Sequence, residues 1–218
     1  MSSSHRPFLV VLSSPSGAGK TSICRGVVRR DPGVAYSVSA TTRPRRHNEV
    51  DGRDYFFLTG RDFRRRLSRS GFLEHAEVYD AVYGTPRAAV LGHFREGRDV
   101  IADLDIQGMR SCRRALPDCV TVFVTAPDRG ELKRRLHGRG TDSARVIARR
   151  QAELEAELRS IPEFDYLVVN DRLRDAVDTV LAIIRAERRR TSRRLMRGRP
   201  GSRPGTRAAA AARRRNSR

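Results

Sequence analysis

The feature of this sequence that most constrains its fold is a short loop that joins two segments of opposite character. Residues 8–12 form an unbroken apolar run, which is typical of a buried strand, and residues 20–30 have the pattern of a helix. The loop between them reads SPSGAGKT at residues 14–21 and follows the pattern G-x-x-x-x-G-K-[ST], with Ser14 at the first glycine position. Because a strand, this loop and a helix in succession aim the positive end of the helix dipole at a phosphate group, the sequence predicts a P-loop.

The composition of this loop gives individual residues a physical role in holding phosphate. Gly17 and Gly19 keep the loop small enough for its backbone N–H groups to approach phosphate oxygens. Lys20 provides a mobile positive charge for the β- and γ-phosphates, and the hydroxyl of Thr21 is a suitable Mg²⁺ ligand. The predicted triphosphate-binding residues are Ser14, Pro15, Ser16, Gly17, Ala18, Gly19, Lys20 and Thr21.

Further apolar runs follow along the chain, at residues 100–104, 120–124 and 166–169. Helical patterns separate them, and a final helix is predicted at residues 173–189. Continuous apolar strands separated by helices indicate a parallel sheet that is covered by helices on both faces. The predicted fold class is therefore α/β, with a parallel core sheet flanked by helices.

Two carboxylates, Asp103 and Asp105, stand at the end of the apolar run at residues 100–104. In open α/β sheets, ligands bind at the carboxyl ends of the strands, so either carboxylate is a candidate to hold Mg²⁺ or its waters beside the P-loop. The alternative role for each is to cap the N-terminus of the following helix, and the sequence alone leaves this choice open.

Two stretches interrupt the alternation of strands and helices and are interpreted as insertions. The first contains short strands at residues 36–40 and 54–58, polar turns and two short helices. The second begins with a Gly-rich loop and continues as a charged helix with few core positions, which indicates a mobile arm. The predicted folded domain covers residues 1–190, with a core at 8–35, 92–133 and 161–190, the first insertion at 36–91 and the second at 134–160.

Arginine dominates the C-terminal end of the chain. Most of the formal net charge of +20 comes from thirteen arginines between Arg188 and Arg218, a stretch without any acidic residue. Residues 191–218 have too few apolar anchors to bury a core, so they are predicted to form a disordered basic tail. Such a tail favours RNA or another polyanion as a partner, through non-specific contacts that weaken as the salt concentration rises.

The remaining composition excludes several classes of protein. The three cysteines show no CxxC or metal-ligand spacing, which favours free thiols in a reducing compartment over disulfides or a zinc fold. No apolar run approaches the length of a membrane span, and the first apolar stretch is too short for a signal peptide. A cytoplasmic protein without a membrane partner is therefore expected.

Residues 36–85 carry a resemblance to a known family. The segments YSVSATTRPRRHNEVDGRDYFF and FLEHAEVYDAVYGT resemble the nucleoside-monophosphate-binding region of guanylate kinases, whose pattern is S-x-S-x-T-T-R-x-P-R-x-G-E-x-x-G-x-x-Y. The later pieces DLDIQG, HGRGTD, IARRQ and VVND follow the same family in order and spacing, so that the resemblance covers residues 8–187.

The resemblance implies a P-loop kinase that converts ATP and GMP to ADP and GDP with Mg²⁺, with dGMP as a further substrate. It makes residues 36–91 a GMP-binding subdomain and residues 134–160 a helical lid. It implies catalytic roles for Lys20, Arg43, Arg139 and Arg150, a place near the adenine for Asn170, and Mg²⁺ binding by Thr21 and Asp105. The residues implied to bind GMP are Ser39, Arg43, Arg46, Tyr55, Glu74, Tyr83, Thr85, Asp103 and Asp105.

These residue types suit the chemistry of GMP. Guanine presents a ring N–H and an amino group, and the carboxylate of Glu74 can accept from both, while the hydroxyls of Ser39 and Thr85 suit the remaining polar edge. A phosphate needs firm donors, which arginines and tyrosine hydroxyls provide. The attacking phosphate oxygen is already ionised, so no nucleophile–base pair is required, and closure over the substrates should exclude water.

The sequence departs from the family pattern at Ser14, at Asn48 and at residues 80–82. None of these departures removes a residue that is assigned to the chemistry, although residues 80–82 border the acceptor pocket. Three alternatives stay open at this point: a P-loop kinase of a phosphorylated sugar, a non-catalytic guanylate-kinase-like binding module, and a nucleic-acid-binding protein with a vestigial kinase. The sequence leaves open whether the chain is a monomer or a homo-oligomer.

Overall fold

The structure is a computed structural model, and it describes residues 5–15, 18–78, 80–128, 130–132, 134 and 154–194. Its strands are β1 (Leu9–Ser13), β2 (Val34–Tyr36), β3 (Ala40–Thr41), β4 (Phe56–Phe57), β5 (Phe72–Val78), β6 (Ala81–Pro86), β7 (Asp99–Asp103), β8 (Val120–Thr125) and β9 (Tyr166–Val169). Its helices are α1 (Lys20–Arg30), α2 (Gly60–Leu67), α3 (Arg87–Arg95), α4 (Ile106–Ala115) and α5 (Leu173–Glu187), with 3₁₀ helices at Ile161–Glu163 and Thr191–Arg193.

Five strands form a parallel sheet in the order β2-β7-β1-β8-β9. Alternate residues of β1 enter different cores: Val10 and Leu12 join the cluster with α1 and α5, whereas Leu9 and Val11 join the cluster with α3 and α4. Since both faces of the strand are buried, its sequence is continuously apolar, as expected for a parallel sheet. The predicted α/β class and its strands at 100–104, 120–124 and 166–169 are confirmed, with ends that differ by one residue at most.

The second sheet has four strands in the order β4-β3-β6-β5 and is mainly antiparallel. Its small core contains Ala40, Phe63 of α2 and Phe72 of β5, and the two phenylalanine rings stack at 4.4 Å between centroids. This sheet corresponds to the predicted insertion, which the core sheet holds at the carboxyl ends of its strands.

The start of the insertion was predicted wrongly. A single strand was expected at residues 36–40, but the chain forms β2, which pairs with β7 in the core sheet, and then β3, which pairs with β4 and β6. The alternating pattern of these residues continues across the junction, so periodicity alone could not show where the chain leaves one sheet for the other. Tyr36 therefore belongs to the core sheet.

Helix α3 and the segment after residue 153 also lie closer to the core than predicted. Val90 of α3 is buried beside Leu9 and Val11, although the insertion was expected to extend to residue 91. Residues 154–159 are helical, and Leu154 is buried in the α1–α5 cluster, although residues 134–160 were expected to have few core positions. Residues 135–153 lie outside the described part of the chain.

The C-terminal boundary of the folded domain lies beyond residue 190, where the basic tail was expected to begin. Arg193 is 5% exposed, and its guanidinium carbon lies 4.3 Å from the centre of the Phe8 ring. Its Nη2 donates to the backbone oxygen of Asp118 at 2.8 Å, and Arg6 N donates to the backbone oxygen of Arg193 at 2.8 Å. These contacts with Arg6, Phe8 and Asp118, all distant in sequence, hold the segment against the folded domain. Residues 195–218 lie outside the described part.

Cys24, Cys112 and Cys119 are all buried and free, as predicted from their spacing. Within the described ranges, no helix combines the length and the apolar character needed to cross a bilayer.

Candidate active site

The P-loop follows β1 and wraps around the start of α1. Gly19, the residue before α1, has φ 91°, a left-handed conformation that favours glycine. An added Cβ at Gly19 would lie 2.6 Å from Nδ2 of Asn170. Asn170 is 6% exposed and donates from Nδ2 to the backbone oxygen of Ala18 at 2.7 Å. The structure thus places Asn170 against the loop backbone, whereas the sequence predicted only a place near the adenine.

Lys20 is the first residue of α1, and its Nζ donates to the backbone oxygen of Ser14 at 3.0 Å. The side chain folds back over the loop and is partly exposed. Ser14 itself is buried and donates to the backbone oxygen of Pro15 at 2.8 Å. The predicted P-loop residues Ser16 and Gly17 lie outside the described part of the chain.

Asp103, the last residue of β7, faces the P-loop with both carboxylate oxygens occupied by hydroxyls. Thr21 Oγ1 donates to Oδ2 at 2.6 Å, and the Tyr36 hydroxyl donates to Oδ1 at 2.5 Å. Burial, followed by the charge of Asp103, raises the pKa of Tyr36 far above its ordinary value, so its hydroxyl stays protonated. Asp103 and Thr21 together form an oxygen-rich corner beside the loop.

Asp105 has a different position from the one expected of a metal ligand. Its carboxylate accepts from Gly108 N at 2.7 Å and caps the N-terminus of α4. Of the two alternatives that the sequence left open, the helix cap applies to Asp105, while Asp103 is the carboxylate that meets Thr21. In the structure, Thr21 therefore contacts Asp103 rather than Asp105.

A buried carboxylate pocket lies between β5, β6 and the start of α4. Glu74 is 6% exposed, and Thr85 Oγ1 donates to its Oε1 at 2.6 Å. A Cβ added at Gly108 would lie 3.1 Å from Oε2 of Glu74 and 3.0 Å from Oδ1 of Asp105. Glycine at this position leaves room for the two carboxylates on either side of it.

The environment of Glu74 favours its protonated form. Burial is the main cause that raises the pKa of Glu74 to about 7, and the nearby charge of Asp105 acts in the same direction, against the hydrogen bond from Thr85. A carboxylate held in this way has a strong need for donors, because its charge is poorly solvated.

A cluster of arginine and tyrosine side chains surrounds the start of the second sheet. Arg43 donates to Glu49 Oε1 at 2.7 Å, and its guanidinium carbon lies 5.6 Å from the centre of the Tyr55 ring. The rings of Tyr55 and Tyr83 make an edge contact at 5.9 Å between centroids. Burial, followed by the charge of Asp103, raises the pKa of Tyr55 to about 12, so Tyr55 is a neutral donor close to the P-loop corner.

The remaining predicted residues form no hydrogen bond through their own side chains to the site residues described above, or lie outside the described part of the chain. Ser39 is partly exposed just before β3, where its backbone oxygen accepts from Phe56 N at 2.9 Å. Arg46 is exposed, and its backbone N donates to Glu49 Oε2 at 2.9 Å. Arg139 and Arg150, the predicted lid arginines, lie outside the described residues.

Two residues of the site were missed by the sequence analysis. Glu49 holds both Arg43 and the backbone of Arg46, and its only sequence signal is the glutamate of the family pattern. Tyr36 contacts Asp103 across 67 positions of the chain, a separation that no local pattern can reveal.

The oxygen donors at Thr21 and Asp103 fit a magnesium ion that is shared with a bound nucleotide. Among the described residues there is no group of three or more His, Cys, Asp or Glu side chains that could enclose a metal by themselves. Mg²⁺ in kinase sites keeps several waters and uses one or two protein oxygens together with phosphate oxygens, which is the donor set available here.

Comparisons with known proteins agree on one family. The model of the guanylate kinase family matches residues 6–187. Guanylate kinase of Paramagnetospirillum magneticum is 47% identical over 193 residues, covering 88% of this chain and 90% of its own. That of Thermotoga maritima is 44% identical over 185 residues, covering 85% and 89%.

A solved structure, the crystal structure of guanylate kinase from Anaplasma phagocytophilum, is similar with a TM-score of 0.72 at 27% identity and covers 87% of this chain and 90% of that one. The sequence and fold comparisons give the same answer: this chain belongs to the guanylate kinase family.

Proposed function

We propose that this protein transfers the γ-phosphoryl group of ATP to GMP in the presence of Mg²⁺, and that dGMP is a further acceptor. The observation that carries the proposal is the position of Asp103. It contacts Thr21 of the P-loop at 2.6 Å, and its charge acts on Tyr55, the residue before β4 of the second sheet. A triphosphate on the loop and a monophosphate on the second sheet would therefore meet at this aspartate.

The acceptor base fits the pocket of Glu74. Thr85 occupies Oε1, which leaves Oε2 of Glu74 and the carboxylate of Asp105 on either side of Gly108. Guanine presents two adjacent donors, its ring N–H and its amino group, and two acceptors at this edge would receive both. Adenine has an unprotonated ring nitrogen there, so it would leave a buried carboxylate without a partner.

The acceptor phosphate fits the cluster of Arg43, Tyr55 and Tyr83. Glu49 uses one edge of the Arg43 guanidinium and fixes its plane, so that its remaining N–H groups are preorganised. Arg46, which is exposed near the same loop, is available as a second donor. We further propose Arg139 and Arg150 as charges that close over the transferring group.

Thr21 and Asp103 would hold Mg²⁺, which supplies charge neutralisation at the β- and γ-phosphates when bound. Lys20 would exchange its contact with the Ser14 carbonyl for phosphate oxygens. Backbone N–H groups at the start of α1 would bind the same phosphates with the favourable end of the helix dipole.

In the reaction, an ionised oxygen of the GMP phosphate forms a bond to the γ-phosphorus of ATP while the bond to the β,γ-bridging oxygen breaks, and ADP leaves. No proton has to be removed from the nucleophile. The chain contributes by aligning the two phosphates and by placing positive charge where negative charge is shared in the transition state. The family match gives no support to the alternative of a phosphorylated sugar as acceptor.

The test is a steady-state assay of the purified full chain with Mg·ATP and each of GMP, dGMP, AMP, UMP and CMP. We expect kcat/KM for GMP to exceed that for AMP by on the order of 10³-fold or more, because a site built for hydrogen bonds rejects a base that leaves them unmade. Chelation of Mg²⁺ should abolish turnover. A folded protein that turns over none of the purines, or AMP as well as GMP, would contradict the proposal.

A further inference from the structure

We propose that Tyr36 is a positioning residue for the phosphoryl-transfer site: its hydroxyl fixes the carboxylate of Asp103 in the orientation that meets Thr21 and Mg²⁺. This inference rests on the function proposed above, because it concerns the same magnesium–nucleotide corner. It adds a residue of the core sheet to the site, on the side opposite the P-loop.

The geometry gives each oxygen of Asp103 one hydroxyl donor. Tyr36 ends β2 and donates to Oδ1 at 2.5 Å, while Thr21, the second residue of α1, donates to Oδ2 at 2.6 Å. Asp103 ends β7, which lies between β1 and β2 in the sheet. The carboxylate is therefore held by the end of β2 on one side and by the first turn of α1 on the other, and it cannot rotate without the loss of a hydrogen bond.

The Tyr36 ring is anchored, so its hydroxyl has little freedom. It packs against the buried cluster that contains Ile23 and Val27 of α1, and its strand pairs with β7 in the register Tyr36 to Ile101. A rigid donor loses little entropy when it holds a partner, and a carboxylate oriented in this way is preorganised for its ligand.

The chemical nature of the donors matters as much as their position. In the described part of the chain, no arginine, lysine or histidine forms an ion pair with Asp103; its side-chain partners are hydroxyls. A neutral donor orients a carboxylate and leaves its negative charge available for a cation. A cationic partner in the place of Tyr36 would neutralise the charge that the metal needs.

The experiment is Tyr36→Phe, which removes the hydroxyl and keeps the packed ring. Partners that orient a metal ligand typically change metal affinity or activity by about 10–100-fold when removed. We expect the Mg²⁺ concentration for half-maximal rate to rise about 10-fold, with KM for GMP within about twofold of the parent value. Calorimetry without turnover gives a second readout: the Kd of Mg·ADP should rise by a similar factor, while the Kd of ADP in chelator stays unchanged.

Tyr166→Phe is the matched control. The Tyr166 hydroxyl donates to Glu187 Oε1 at 2.7 Å, so it is also a tyrosine–carboxylate hydrogen bond between a strand and the rest of the core, but at the opposite end of the sheet. Both variants should lose similar thermal stability, and only Tyr36→Phe should change the Mg²⁺ dependence. Adding Tyr36→Phe to Asp103→Asn should have no further effect on Mg·ADP affinity, because the two residues act as a unit.

A Tyr36→Phe protein with a lowered Tm and an unchanged Mg²⁺ dependence would overturn this inference and leave the proposed function intact. A parent protein that lacks Mg²⁺-dependent ADP binding would overturn both. A parent that binds Mg·ADP but does not phosphorylate GMP would contradict the proposed acceptor alone, and the binding measurements would still decide the role of Tyr36.

Discussion

Strand β7 carries an aspartate at each end, and the two have opposite kinds of partner. Asp99 begins the strand and is fully buried; Arg188 Nε donates to its Oδ2 at 2.7 Å, and His5 Nε2 lies 2.9 Å from its Oδ1. Asp103 ends the same strand four residues later, is only partly buried, and receives hydroxyl groups.

The difference in partners assigns the two ends of β7 to different tasks: the Asp99 end stabilises the fold, and the Asp103 end is available to the proposed site. The charge of Asp99 is compensated by Arg188, which also donates to Asp31 at 2.7 Å, so that this end of the sheet is joined to the C-terminus of α5. Among the described residues no cation forms an ion pair with Asp103, whose carboxylate lies beside the start of α1, where the proposed nucleotide would bind. A buried carboxylate that is paired with an arginine joins segments of the fold, whereas a carboxylate with neutral donors keeps its charge available for a ligand.

The largest expected effect comes from breaking the Asp99 end. Asp99→Asn should lower the free energy of unfolding by roughly 3 kcal/mol, the lower end of the range for a broken buried pair, because Arg188 keeps Asp31. Denaturant unfolding measures this loss, while kcat of the folded protein should stay within about twofold. Asp118→Asn is the control, since its contact with Arg6 is exposed and should contribute nothing measurable. A stable but inactive Asp99→Asn protein would reverse the assignment of the two ends.

The opposite result is expected at the P-loop. Lys20→Ala should reduce kcat by about 10²–10³-fold, as for removal of one preorganised charge, because phosphate loses its mobile cation. The side chain is partly exposed and folds over the loop, so the Tm should change little. Rates near those of the parent in a folded Lys20→Ala protein would show that this loop does not bind the transferring phosphate.

The pKa of Glu74 gives a pH test of the acceptor pocket. Since this pKa is raised to about 7, the carboxylate ionises only as the pH rises through that value, so kcat/KM for GMP should increase up to about pH 7 and level off above it. In Glu74→Gln this ionisation is absent, and kcat/KM should be about 10²-fold lower at pH 8, because one guanine donor faces an amide N–H. The GMP phosphate titrates in both proteins, so their difference isolates Glu74.

Glu74 also affects stability, with a definite sign. A carboxyl group whose pKa is higher in the folded than in the unfolded state stabilises the fold below its unfolded value, and this stabilisation is lost as the pH rises from about 4.5 to about 7. Glu74→Gln should remove that part of the pH dependence. An unchanged stability profile in the variant would mean that the pKa of Glu74 is the same in the folded and the unfolded protein.

The smallest expected effect concerns the end of the folded domain. A chain that ends at Arg194 should keep the stability and GMP kinetics of the full chain, whereas a chain that ends at Arg190 loses Arg193. Because Arg193 donates to Glu187 and to the Asp118 backbone, its loss should cost about 1–3 kcal/mol of stability without a change in kcat. Both truncated forms should bind heparin more weakly at low salt. Equal stability of the two truncated chains would show that residues 191–194 do not contribute.

Much of the fold was accessible from the sequence because its signals are local. The unit of residues 8–30 combines an apolar run, two glycines and a helical pattern, and the structure has the predicted strand and helix at its two ends. The division of residues 34–41 between two sheets was not accessible, since a strand's partner is chosen by contacts distant in sequence. The same reason explains the error at residue 190, where order depends on Phe8 and Asp118.

By itself, the sequence determined which chemical groups the candidate site can draw on: a P-loop lysine and threonine, strand-end carboxylates, a glutamate for the base and a run of arginines and tyrosines. Only the tertiary structure decided which role each of the strand-end carboxylates has. Asp103 and Asp105 are two residues apart and chemically identical, but one ends a strand beside two hydroxyls and the other caps α4. The physical reason is that a carboxylate's role depends on which donors surround it, and those donors come from chain segments that only folding brings together.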